Sequence, residues 1–222
     1  MRILIAGVGN VLRADDAFGV EVAKRLAGLG LPEGVTVVET GIAGIALVQE
    51  LQDGYDALVV VDAVDLGRTP GNVMLIDPDV VDVNELTWAE KHDLLADMHL
   101  ATPGRAMMLA KALGVLPAQR LLVGCQPVDP DSVGTGMSEP VTAAVGVAVD
   151  EILRHVDELL TGVTRQDGVL HTAWGPAGPE GEMQGPSGPL SGEHGPSGPL
   201  SGEHGPGCTH ARHTNGTGGS AN

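Results

Sequence analysis

Apolar residues along this chain fall into short solid runs that alternate with longer stripes at helical spacing. "RILIAG" (2–7) is an almost unbroken apolar run closed by glycine, the pattern of a strand covered on both faces. "VTVVET" (35–40) is β-branched, and "DALVVVDAV" (56–64) is the strongest strand signal, apolar nearly throughout and therefore central. "NVMLI" (72–76) and "RLLVGC" (120–125) complete a set of five. Between them Phe18, Val22, Leu26 and Leu29 recur at helical spacing, and "IALVQELQ" (45–52) follows a tight "GIAG" turn at 41–44. The stretch 103–114 reads as a helix with Pro103 in its first turn and Gly114 as its stop. Residues 138–162 form a long amphipathic helix opened by Ser138 and Glu139 and closed by Gly162. The acidic stretch 77–98 shows no clear period and reads as irregular.

This alternation predicts an α/β fold: a three-layer α/β/α sandwich around a mostly parallel sheet of about five strands. The link "DLGRTPG" is too short for a helical crossover, so 72–76 should pair antiparallel or lie at an edge. Periodic patterning ends near Gly162. The prediction is thus a folded domain over 1–162 and a disordered Gly/Pro/His-containing tail over 163–222, where "GPSGPLSGEH" occurs twice in tandem.

Charge narrows the partners. The chain carries a formal net charge of −17, and the segment from Val163 holds only five acidic and two basic residues. The acidity therefore lies mainly on the domain, which argues against nucleic acid and anionic membrane as ligands. The two cysteines, Cys125 and Cys208, cannot build a disulfide framework or a CxxC metal site. "MRILIAGVGN" is too short for a signal peptide, and no 18-residue apolar span follows, so a cytoplasmic protein is expected.

The candidate chemistry begins at "GVGNVLRADDAFG" (7–19), a glycine turn after a strand that leads into two carboxylates instead of a phosphate site. The third glycine of a dinucleotide fingerprint is replaced by Leu12, and no P-loop Lys-Ser/Thr pair follows. In doubly wound sheets ligands sit beyond the carboxyl ends of the strands, where Gly7–Asp16, Gly41–Gly44 and Asp62 all fall. Asp16 and Asp62 can therefore converge, which suits a cation or a shared-proton dyad. An imidazole from His92 or His99 would complete an O,O,N set for a transition metal. Blander readings stand beside this one: Asp15 as a helix cap, Asp16 as a solvated first-turn acid, Asp65 as a turn residue.

"GVGNVLRADDAFGV", "GIAG", "VVVDAV", a histidine ahead of a helix and "LLVGCQP" resemble, in this order, the [NiFe]-hydrogenase maturation proteases over about Met1–Gly162. The resemblance implies an endopeptidase that removes a C-terminal extension from the hydrogenase large-subunit precursor after nickel insertion. It implies that Asp16, Asp62 and His99 contact nickel supplied by the substrate and form the catalytic site, with no organic cofactor. His99 is preferred over His92 because it stands about eighteen residues before Pro117, the spacing the family keeps. Gly41, Ile42, Ala43 and Gly44 would border the substrate cleft. A monomer is expected. Mechanism stays open between metal-assisted and aspartic types; no D-T-G or G-x-S-x-G signature occurs. Ala17 stands where relatives often have glycine, and some sixty residues extend past the family's usual end. A non-enzymatic nickel chaperone and a flavodoxin-like nucleotide module are the alternatives.

Overall fold

The computed structural model describes residues 1–42, 44–96, 102–162, 169–175 and 178–180, with 93–96 and the last two stretches described as backbone only. They belong to one compact unit, Met1–Met183; a second unit, Gln184–Asn222, lies outside the described residues. The chain order is β1 (Ile3–Val8), a 3-10 turn (Ala14–Ala17), α1 (Phe18–Ala27), β2 (Val35–Gly41), α2 (Gly44–Leu51), β3 (Ala57–Ala63) and β4 (Val73–Val80). A second 3-10 turn (Val83–Glu85), α3 (Trp88–Ala96), α4 (Pro103–Ala112), β5 (Gln119–Cys125), α5 (Glu139–Thr161), β6 (Val169–Gly175) and β7 (Gly178–Glu180) follow.

The strands form one sheet in the order β2-β1-β3-β5-β4-β6-β7. β1 pairs parallel with β2 and β3, and β3 pairs parallel with β5. β4 runs antiparallel to β5, as the short link before it requires. Alternate residues of the central strands feed two separate cores. Leu4, Ala6, Leu58, Val60 and Leu122 pack with Leu47, Val48 and Leu51 of α2 and Met107 of α4. Ile3, Ile5, Val59, Val61 and Val123 pack on the other side with Phe18, Val22 and Leu26 of α1 and with α5 from Val141 to Val156. This is the expected α/β/α sandwich, and its five strands within 1–162 lie where the apolar runs placed them.

Three expectations need correction. The expected disordered tail over 163–222 needs correction at two stretches, which form β6, parallel to β4, and β7, antiparallel to β6; the rest of the tail lies outside the described residues. Composition misled because this pairing is long-range and local patterning does not report it. The same pairing, Leu75↔Val169 through Val80↔Trp174, carries β4 four residues beyond Ile76. The stretch read as irregular also contains α3. It opens with a reciprocal cap in which Glu90 accepts from Thr87 N and Oγ1 while Glu90 N donates to Thr87 Oγ1.

The connections out of β1 and β3 diverge to opposite sides of the sheet, so the crevice of this doubly wound order lies between those two strands. Glycines let α1 descend onto that point. A Cβ on Gly19 would stand 2.1 Å from Val61 O and 2.2 Å from Val8 O, and one on Gly7 would meet Gly19 O at 2.3 Å. Both obstructions at Gly19 are backbone, which no side-chain rotation relieves. Gly19→Ala should therefore cost about 2–3 kcal/mol or more by overpacking, read as a lower urea midpoint at unchanged m-value.

Candidate functional site

The loop after β1 is built to present its acids. Gly9 adopts φ +137, and a Cβ there would lie 1.8 Å from Asp16 O, so the chain doubles back directly over the turn. Asn10 holds this return at three atoms. Its Oδ1 accepts from Leu12 N (2.9 Å), its carbonyl accepts from Arg13 N (2.9 Å), and its N–H donates to Asp16 Oδ2 (2.9 Å). Ala14 sits at φ +42, a left-handed conformation unfavourable for alanine. It persists because both neighbouring strands of chain are pinned: Ala14 N donates to Gly134 O (2.9 Å) and Gly134 N donates to Leu12 O (3.0 Å).

The two acids of this turn have different tasks. Asp15 is 3% exposed and accepts three hydrogen bonds, from Ser138 N (2.7 Å), Ser138 Oγ (3.0 Å) and Val128 N (2.9 Å). It is a helix cap, as one reading of the sequence held, but it caps α5, 123 positions away, and not the helix that follows it. Ser138, the N-cap residue by position, makes no cap bond of its own. Asp15 thereby clamps the post-β5 loop and α5 to the site turn.

Asp16 turns the other way, into the crevice. Burial raises its carboxyl above the ordinary range, against the Asn10 N–H and the Arg13 charge, which lower it. Near the end of β3, on the other side of the crevice, Asp62 accepts from Ala63 N (2.9 Å). Its carboxyl is raised well above the ordinary range, first by burial and next by the charge of Asp16. The structure thus brings Asp16 and Asp62 within electrostatic reach of each other, as strand-end logic predicted. His99 and Ala43 lie outside the described residues. His92 is on α3, exposed. Gly41 and Ile42 close β2 beside this loop, with Gly9 N donating to Gly41 O (3.2 Å), and Gly44 opens α2. Among the described residues, no three His, Cys, Asp or Glu side chains form a ready metal cage.

One organising side chain escaped sequence reading. Gln126, 4% exposed, accepts from Leu66 N (2.8 Å) and Arg68 N (3.0 Å), and donates to Asp65 Oδ1 (2.8 Å) and Pro127 O (3.2 Å). It fixes the loop that leaves Asp62. The signals for it were its place in "LLVGCQP" and its position directly after a buried strand. Asp65 is the turn residue expected, accepting from Gly67 N (3.1 Å), and these bonds lower its carboxyl pKa. Cys125 is fully buried, and burial together with the Asp15 charge pushes its thiol up to about 12, so it is no nucleophile at neutral pH.

A doubly wound order, β2-β1-β3-β5 with an antiparallel β4 beyond, a carboxylate pair at its switch point and no phosphate-binding fingerprint define a class of α/β proteins whose crevice suits cations or acid–base work. Comparison with known proteins identifies the class further. Residues 20–155 match the family model described as hydrogenase maturation protease, HycI. The chain is 32% identical over 170 residues to the hydrogenase expression/formation protein HupD of Bradyrhizobium diazoefficiens, spanning 76% of this chain and 85% of that one. It is 27% identical to the hydrogenase maturating endopeptidase HybD from E. coli, with a TM-score of 0.58 over 72% of this chain and 94% of that one. A hydrogenase 2 maturation peptidase from Thaumarchaeota archaeon SCGC_AB-539-E09 is 32% identical, with a TM-score of 0.51 over 74% and 100%. The chain belongs to the hydrogenase maturation protease family, and the family supports a peptidase acting in hydrogenase maturation. No helix among the described residues is long and apolar enough to cross a membrane.

Two predictions follow from the acids. Asp15→Ala leaves two N–H groups and a hydroxyl without their acceptor, and should cost about 2–4 kcal/mol in urea unfolding. Asp62 behaves oppositely. Its folded pKa lies above the unfolded value near 3.8, so folding favours the protonated acid. That contribution is complete below about pH 3.8 and is lost as pH rises through the folded value. Asp62→Asn should therefore raise Tm by about 2–4 °C at pH 7, with the gain shrinking toward zero near pH 4. Calorimetric scans of both proteins across this range check it.

Proposed function

We propose that this protein is the endopeptidase that removes the C-terminal extension of a [NiFe]-hydrogenase large-subunit precursor after nickel insertion. Asp16, Asp62 and His99 read the nickel, which arrives with the substrate. The observation that supports this most directly is the meeting of Asp16 and Asp62 at the switch point, each held above its ordinary pKa by burial and Asp62 further by its neighbour. Two acids in that state are costly to ionise together, and a divalent cation between them relieves both desolvation and repulsion. Oxygen ligands joined by an imidazole suit nickel among the borderline metals. His99 is the imidazole on this reading, chosen by the family resemblance and by its spacing to Pro117.

Within this reading the chain's own residues do three things. Asn10 N–H holds one oxygen of Asp16, so the carboxylate keeps one orientation. Asp62, anchored through Ala63 N at Oδ1, offers its other oxygen to the metal or to a proton. Asp15, acting through Ser138 and Val128, keeps the turn against the post-β5 loop while the substrate is engaged. Held by Asp16, Asp62 and His99, the substrate's metal would supply Lewis-acid chemistry at the scissile carbonyl or at a water. A nickel chaperone using the same acids is the second reading, and the family membership favours the peptidase over it.

The test is intact-mass spectrometry of a nickel-loaded precursor and a metal-free precursor, each incubated with the protein. Loss of a C-terminal peptide from the nickel-loaded form alone is the expected result. Unchanged mass in both removes the peptidase reading for that partner and leaves the chaperone. Asp62→Asn should abolish processing while preserving the fold; a variant that still cuts at the wild-type rate would refute the site assignment.

A further inference from the structure

The loops beyond the carboxyl ends of β1, β2 and β5 carry large apolar side chains in water. Leu12 is 61% exposed, Ile42 59% and Val133 81%, with Val11, Ile45 and Val128 also exposed beside them. They are spread over three segments of sequence, yet backbone bonds join those segments into one continuous rim. Gly9 N donates to Gly41 O, Ala14 N to Gly134 O, and Gly134 N to Leu12 O. Arg13 stays at this rim through Pro130 O (3.0 Å) and Asp131 (3.6 Å), so the one cation of the loop is already engaged. The rim runs alongside the turn that presents Asp16. Single exposed apolar residues are ordinary, but a set gathered beside a site marks an interaction surface.

We infer that this rim docks a folded apolar face of the hydrogenase precursor, and so positions the extension before cleavage. The inference rests on the peptidase reading and deepens it. Three observations select the occupant. The rim is continuous with the carboxylate pair, so whatever covers it also delivers the group those acids receive. The chain is strongly acidic overall and the rim offers no unengaged cation among its described residues, so an acidic surface is rejected and an apolar one fits. The rim also spans the width from β2 to β5, three strand spacings or about 14 Å. An extended peptide is one strand wide, so this breadth matches a protein face. The glycine at 134 and the left-handed Ala14 hold the rim in shape before docking, which lowers the ordering cost of binding.

The test is steady-state processing of the nickel-loaded precursor by Leu12→Glu, Val133→Glu and the double variant. Leu113→Glu, at the end of α4 and equally exposed, serves as control. KM should rise at least tenfold for each rim variant and further for the double, with kcat within twofold and Tm unchanged; the control should match wild type. Unchanged KM in rim variants that remain folded overturns the inference while leaving the peptidase reading intact. Failure of the wild-type protein to cut the precursor sinks that reading and, with it, this one. Sedimentation velocity of the free protein provides the remaining arm. A wild-type dimer that dissociates in the Leu12→Glu and Val133→Glu variants would assign the rim to a second copy of this chain and overturn the precursor as its occupant.

Discussion

The structure depends on how closely the first turn of α1 approaches the ends of β1 and β3. Gly19 lies where any side chain would overlap Val61 O and Val8 O, and Gly7 and Gly9 remove the same obstruction from the strand side. This contact is backbone against backbone, with no room for adjustment. It fixes the depth at which the 3-10 turn sits, and hence how near Asp16 comes to Asp62. A helix pushed outward by even one methyl group would separate the acids and weaken the field each exerts on the other. In a nucleotide-binding fold comparable glycines admit a pyrophosphate. Here the space they free is taken up by the protein's own backbone, and two carboxylates occupy the crevice.

The consecutive acids of this turn show how identical side chains diverge with environment. Asp15 receives three donors, and its charge is spent on holding α5 and the post-β5 loop. Asp16, one residue on, receives one among the described residues. Asp62 likewise accepts one backbone N–H and faces a like charge. The turn therefore satisfies the first acid and leaves the second in need of a partner. The left-handed Ala14 is the cost of pointing successive side chains in opposite directions, and the Gly134 and Leu12 bonds offset it.

Much of this was legible before any coordinates. Solid apolar runs located all five strands of the 1–162 domain, and the glycine turn with strand-end logic brought Asp16 to Asp62. What stayed hidden depends on contacts distant in sequence. Asp15 reads locally as a cap, which is correct in kind, but nothing local says that its partner is Ser138. Gln126 falls inside the motif "LLVGCQP", but nothing local reveals its role, which is defined by four partners on two loops. The strand at 169–175, "VLHTAWG", is a short run next to glycine- and proline-rich sequence. Its pairing with β4 is a long-range contact that local patterning does not report; the strand at 178–180 pairs with it in turn. Helix α3 has a good capping box but a weak apolar stripe, and the second feature dominated. His99, the third member of the proposed set, stands outside the described residues, so its assignment rests on the family resemblance and its spacing to Pro117.

A site left electrostatically incomplete is a poor permanent arrangement and a good sensor. Holding Asp16 and Asp62 together opposes folding at neutral pH, a strain the buried cores on both faces of the sheet can absorb. The same strain makes the site responsive, because a cation gains affinity from the repulsion it relieves. On the proposed reading, discrimination then follows without a dedicated gate. A precursor that brings apolar surface but no metal gains contacts at the rim and leaves the acids unrelieved; one that brings both gains from each. The two contributions reinforce one another only when rim and acids are held in fixed relation. That relation is set by the Gly19 contact on one side and by the Asp15 clamp on the other. If the proposed function holds, recognition of the partner's surface and recognition of its charge are coupled through a single turn of eight residues, from Gly9 to Asp16.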